Sequence, residues 1–201
     1  ELARQAESLG SALSLLEAQL ARAPERWATV QDLQGEIKRP REDTLGLLDE
    51  LGQGGRAVDL GQADRWIHAE TLELCVSEVR DAIDGWFTAN PMRARMDVRE
   101  LRGAVRVEQG LLRIVLEREE AAGRYRLDAG GFLAPAGREV ELDDATRALR
   151  DAALAALDTA GFQPPDPAEL AGTLGRTPED VDGVRRLLED EGEIARIEGN
   201  L

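Results

Sequence analysis

At 201 residues, with 42% hydrophobic and 32% charged residues, the chain has the make-up of a soluble globular protein with room for one or two ordinary domains. Its aromatic share of only 3%, against abundant alanine and leucine, favours helix over sheet; a single cysteine, Cys75, excludes an internal disulfide, and the lack of a signal-like start or a long apolar run fits a cytoplasmic protein without a membrane span. The formal charge of −15 argues against nucleic-acid binding over the whole surface, because phosphates demand clustered lysine and arginine.

Leu9, Leu13, Leu16 and Leu20 recur at helical spacing and predict a first helix. Thr29 is then an N-cap with Leu33 on the buried face, and an acidic helix carrying Glu42-Asp43 and Asp49-Glu50 runs to Gly55. Val58 and Trp66-Ile67 read as short strands joined by a hairpin at Gly61. The order starts again with Leu72, Val76, Val79 and Ile83, followed by Asp97 as N-cap and Leu101 as core position. Glu117, Glu119 and Glu120 belong to the next helix, Gly123 ends it, and Arg126 and Phe132-Leu133 are the strands about Gly130. In the third pass Asp143–Ala160 sets Leu149, Ala153, Leu154 and Leu157 at helical spacing and stops at Gly161. Asp166-Pro167-Ala168-Glu169 is a capping box with proline at the first helical position, Leu170 faces the core, and Gly175 breaks the helix. Thr177-Pro178-Glu179-Asp180 opens another helix, whose Val181, Val184, Leu187 and Leu188 form a stripe down to Gly192. Residues 193–197 alternate as a strand would, and Glu198-Gly199-Asn200 is a turn whose returning strand is missing after Leu201.

These signals form a repeat. Gly55, Gly123 and Gly192 lie 68 and 69 residues apart, Gly61, Gly130 and Gly199 lie 69 and 69 apart, and Thr29, Asp97 and Asp166 lie 68 and 69 apart. A period that long exceeds the 20 to 50 residues of solenoids, so each copy has its own small core. Three helices and a two-stranded hairpin, with a tight turn between the second and third helices, make a winged helix. The expected fold is mainly α with small β-hairpins (α+β): three tandem winged helices over 1–69, 70–140 and 141–201, the last truncated in its wing, in an extended, semi-rigid array. Pro135–Leu142 is its one loose joint. The copies carry net charges of −4, −2 and −9.

Asn90-Pro91-Met92-Arg93-Ala94-Arg95-Met96, leading into Val98-Arg99-Glu100-Leu101-Arg102, resembles the C-terminal winged-helix region of the bacterial selenocysteine-specific elongation factor SelB. Members of that family carry His-Pro-Leu-Arg, often Gly-Met, then Glu-Leu-Arg; Asn90 and Arg95 depart from the histidine and the glycine. Ala160-Gly161-Phe162 with Pro164-Pro165, and Gly192 to Ile197, also resemble the family's penultimate module. The resemblance implies an elongation-factor GTPase carrying selenocysteyl-tRNA, then four winged helices, the last gripping an mRNA hairpin beside a UGA codon. The chain would then be modules one to three, the arm linking GTPase to RNA clamp in selenocysteine incorporation. GTP and Mg would belong to the absent N-terminal part, since Gly52-Gln53-Gly54-Gly55 lacks the lysine of a phosphate loop. The mRNA hairpin would be held through the absent terminal module and selenocysteyl-tRNA through the absent GTPase part; ribosome contact, a monomer and no membrane partner complete the expectation.

Arg93, Arg95, Arg99, Arg102 and Arg106 form the only basic patch, and Arg99, Arg102 and Arg106 are spaced to share a helical face. They are the candidate contacts to RNA or the ribosome, or else a solvated face balanced by Asp97, Glu100 and Glu108. The third helix, which in DNA-binding relatives of this fold enters the major groove, is acidic in every copy, which disfavours a DNA-binding regulator; Arg185 and Arg186 serve solubility. His68 and Cys75 lack partners for catalysis, Trp27, Trp66 and Trp86 read as core packing, and no carboxylate pair stands out as acid and base. No catalytic residue, cofactor or metal ligand is expected, and the chain reads as a non-enzyme. The alternative function is an acidic winged-helix adaptor between proteins.

Overall fold

A computed structural model describes residues 2–23, 26–61, 64–161 and 163–195, with side chains from residue 10 onward. By packing, the chain divides into two compact units, residues 1–81 with 105–117 and residues 82–104 with 118–201. This division cuts across the repeat-based bounds, because the second copy contributes residues to both units.

The first unit begins with α1 (Leu2–Ala21), β1 (Ala28–Thr29), α2 (Val30–Ile37), α3 (Arg41–Gln53), β2 (Ala57–Asp59) and β3 (Arg65–His68). Thr29 caps α2 through a capping box with Asp32, each side chain accepting the other's backbone N–H. Lys38 closes the helix in a left-handed conformation (φ 52°), and Pro40, with no N–H to give, starts the next. Leu16, Leu20, Val30, Leu33, Leu48 and Leu51 are buried against one another and against Trp66. Leu9 of the predicted stripe lies outside the described side chains, and Leu13 packs at the edge of this core.

The sheet differs from expectation. A two-stranded hairpin was predicted, but β1 adds to it, giving the antiparallel order β1-β3-β2 with Ala28 opposite Trp66 and Val58 opposite Ile67. The residue that caps α2 therefore ends a strand, fixing the helix start to the sheet edge. The second copy repeats this with β4 (Met96–Asp97), α5 (Val98–Ala104), β5 (Tyr125–Leu127) and β6 (Phe132–Pro135) in the order β4-β6-β5. That sheet lies in the second unit; α4 (Ala69–Ala89) and α6 (Gln109–Ala121) precede β4 and β5 and span the bounds of the units.

Gly55, Gly123 and Gly192 take φ of 69°, 72° and 79°, so the predicted helix-end punctuation is real in all three copies. In the wings Asp59 and Asp128 each accept the N–H two residues on, at 2.8 Å. In the first wing Gly61 and Asp64 are left-handed (φ 67° and 56°), and in the second it is Gly131 (φ 79°), not the predicted Gly130.

The third copy supplies α7 (Asp144–Ala160), α8 (Pro167–Leu174) and α9 (Pro178–Glu191). Asp143, Asp166 and Thr177 cap them, the Asp166–Glu169 box is formed, and Gly175 is left-handed at φ 62°. Val181, Val184, Leu187 and Leu188 are fully buried, as the stripe requires. Residues 193–195 are not strand; the remainder of the predicted hairpin, including Gly199 and Leu201, lies outside the described residues, as does Phe162.

Candidate functional site

The segment that carries the family-like motif is a loop between α4 and β4. Asn90 ends α4 by directing both its backbone N–H and its side-chain amide to the Trp86 carbonyl, each at 2.9 Å, and Pro91 prevents continuation. The loop then docks onto the third copy. Met92 packs on a cluster of Leu149, Ala153, Val184 and Leu188, and an added Cβ on Gly183 would stand 3.6 Å from the Met92 methyl.

The polar side of this contact converges on one carboxylate. Asp190, its side chain 4% exposed, accepts from Arg93 Nε at 2.8 Å, Arg93 Nη2 at 3.3 Å, the Ala94 N–H at 3.2 Å and Arg95 Nε at 3.3 Å. Arg95 also donates to the Glu189 carbonyl at 3.1 Å and to Asp128 at 3.3 Å, and lies 4.4 Å over the Phe132 ring. The hydrogen bond to Asp190 raises the Arg93 guanidinium above its ordinary value, against the opposing effect of burial. Arg138 completes the clasp, donating to the Arg93 carbonyl at 3.0 Å and the Pro91 carbonyl at 3.1 Å while stacking over Phe87 at 4.4 Å. The predicted loose joint after Pro135 is thus tied back by its own arginine.

The five candidate arginines consequently separate. Arg93 and Arg95 belong to the clasp, where a buried carboxylate uses their donors. Arg99 is 84% exposed and folds onto its own N-cap residue Asp97 at 2.6 Å. That pairing, chiefly the side-chain hydrogen bond from Arg99 and then its N–H, lowers the Asp97 carboxyl below the usual range. Arg102 is exposed and makes no ion pair with a described residue. Arg106 does not share the face of Arg99 and Arg102 as predicted: α5 ends at Ala104, and Arg106 stands in the connection to α6, its backbone N–H donating to Glu78 at 2.5 Å.

Arg185 is held by Asp182 at 2.7 Å and by Glu189, and Arg186 by Asp182 at 2.7 Å, so α9 neutralises both arginines along its own length. The acids of α3, Glu42, Asp43, Asp49 and Glu50, are exposed, but Glu119 of α6 is buried and pairs with Arg124 at 3.6 Å. Of the three tryptophans only Trp66 is in a core; Trp27 lies half-buried under Arg65 at 4.0 Å, and Trp86, also half-buried, donates to Glu100 at 2.7 Å. Cys75 is buried with the Arg26 guanidinium donating to its sulfur at 3.3 Å, and His68 stands 3.8 Å from Glu17. Among the described residues no group of three or more His, Cys, Asp or Glu could hold a metal ion, and no helix is long and apolar enough to cross a membrane.

Sequence reasoning missed Asp190, Arg138 and Arg126. Asp190 offered one signal: an acid in the last turn of a helix opposes the helix dipole, so it calls for a cationic partner. Arg126 sits on β5 and Arg138 follows β6; with Arg95, Asp128 and Phe132 they line a cleft of about 410 Å³.

The order of helix, short strand, two helices and a two-stranded wing, present twice in full, defines a tandem winged-helix protein of mainly α class. No protein-family model and no curated protein matches the chain. Among solved structures it is similar to the mRNA-binding domain of elongation factor SelB from E. coli in complex with SECIS RNA, at 16% identity and a TM-score of 0.49, over 65% of this chain and 98% of that one.

Proposed function

We propose that the chain is a non-catalytic winged-helix arm of a selenocysteine-specific elongation factor, standing between the part that carries GTP and selenocysteyl-tRNA and a module that grips an mRNA hairpin. The observation that carries this reading is the dual identity of residues 90–95. The stretch on which the resemblance rests is also the stretch that locks the second copy to the third, through four hydrogen bonds on Asp190. A stiff joint suits an arm whose work is geometric: it raises the effective concentration of tethered tRNA at the right codon only if its length and angle match the span.

The test replaces residues 1–195 in the parent factor by a flexible glycine-serine linker of equal reach and measures UGA decoding with a reporter, alongside hairpin affinity and GTP hydrolysis. Loss of decoding with affinity and hydrolysis unchanged is the expected result. Full decoding through the flexible linker refutes the arm. One feature favours the adaptor alternative: Leu74 of α4 is 69% exposed. A protein partner lost on Leu74→Asp while decoding persists would select that reading.

A further inference from the structure

We infer that the cleft beside the second wing is a binding site for the phosphodiester backbone of RNA, with Arg126 and Arg138 as its contacting cations. The inference rests on the proposed RNA-directed role and gives it a location in the second copy.

Charge bookkeeping over the cleft and the clasp beside it separates the cations into two pairs. Arg93 and Arg95 answer the carboxylates Asp190 and Asp128, so those four side chains are close to neutral together. Arg138 directs Nε and Nη2 to backbone carbonyls, which cancel no charge, and its Nη1 makes no hydrogen bond to a described residue. Arg126 is exposed on β5 opposite Ala134 and makes no ion pair with a described residue. Two positive charges at the cleft are therefore without an ion-pair partner among the described residues, in a chain of net charge −15. A guanidinium presents a planar fork that matches phosphate geometry, and Arg138 is already fixed by two hydrogen bonds and the Phe87 ring, so little freedom is lost on contact.

RNA is favoured over an acidic peptide by what surrounds the cleft. In the second copy the helix that reads grooves in DNA-binding relatives of this fold, α6, sets Glu117, Glu119 and Glu120 against Arg113 and Arg118, whereas the wing cleft sets Arg95, Arg126 and Arg138 against Asp128 and Asp190. The Arg95 guanidinium lies 4.4 Å over the Phe132 ring at the cleft wall, a guanidinium plane of the kind on which unpaired bases stack.

The experiment titrates the 15N-labelled chain with a 12-nucleotide single-stranded RNA of mixed sequence and follows amide shifts across a salt series. Two phosphate contacts to a single strand predict a slope of log K against log salt of about −1.4. The amides of Ala94, Leu127 and Ala134 shift, Arg126→Glu abolishes those shifts, Arg126→Lys retains part of them, and Arg102→Glu leaves them in place. RNA shifts confined to residues 98–104 and lost in Arg102→Glu overturn the cleft while leaving RNA contact standing. Shifts at the cleft by polyglutamate stronger than by RNA, or by inorganic phosphate alone, overturn the RNA assignment. Absence of any shift at low salt overturns the site, and the linker replacement then decides the arm on its own.

Discussion

Removing the carboxylate of Asp190 tests the clasp. Its side chain is 4% exposed and accepts four hydrogen bonds, three of them from guanidinium groups. A hydrogen bond to a charged group contributes about 1.5 to 3 kcal/mol, and breaking a buried ion pair costs about 3 to 5 kcal/mol because one partner keeps an unanswered charge. The Arg93 and Arg95 side chains are 20% and 32% exposed, so water partly re-solvates them when the carboxylate goes. We therefore expect Asp190→Ala to cost about 2 to 4 kcal/mol, and Asp190→Asn, which keeps an acceptor but no charge, roughly half of that. Urea unfolding followed by circular dichroism measures the loss, and the Ala94 amide shift reports the clasp directly. In a cycle with Arg93→Ala, a coupling of about 1 to 3 kcal/mol is expected. A cost below about 0.5 kcal/mol, or additive effects in the cycle, refutes the clasp as a structural joint.

Gly183 faces Met92 at ordinary van der Waals distance, so Gly183→Ala should stabilise α9 by about 0.5 to 1 kcal/mol, whereas Gly183→Leu should displace Met92 and perturb the Ala94 amide. Leu188, fully buried in the same cluster, should cost about 2 to 5 kcal/mol as Leu188→Ala, read as a lower urea midpoint. The carboxyls of Asp97, Glu108 and Asp143 are all held below their usual range: by the Arg99 side chain, by the Gly110 N–H and by the Thr146 side chain respectively. A depressed folded-state pKa means fewer bound protons in the folded than in the unfolded chain, so this stability is present above the ordinary carboxylate range and lost as pH falls through the folded values. The urea midpoint should stay flat from about pH 7 to 5 and fall below that, and Asp97→Asn, which keeps the cap without titrating, should shallow the fall. Exchanging exposed Arg102 for glutamate should shift stability by no more than about 0.5 kcal/mol, since it answers no buried charge among the described residues.

The sequence by itself determined the local grammar. Caps such as Thr29, Asp166 and Thr177, the left-handed glycines at 55, 123 and 192, and the stripe from Val181 to Leu188 act within a few residues, so their spacing alone specified helices, ends and buried faces. Their recurrence was enough to read a winged helix repeated along the chain. What joins distant segments depended on the tertiary structure. Whether Ala28–Thr29 pairs with Arg65–Trp66 is a matter of backbone hydrogen bonding between residues 36 and 38 positions apart, which leaves no side-chain pattern in two residues. Arg93 and Arg95 looked like Arg99 and Arg102 in sequence, since charge alone does not reveal its partner. Only folding, by bringing a buried carboxylate 97 residues away to within 2.8 Å of Arg93, decided that the first two arginines hold the protein together and left Arg102 and Arg126 facing solvent.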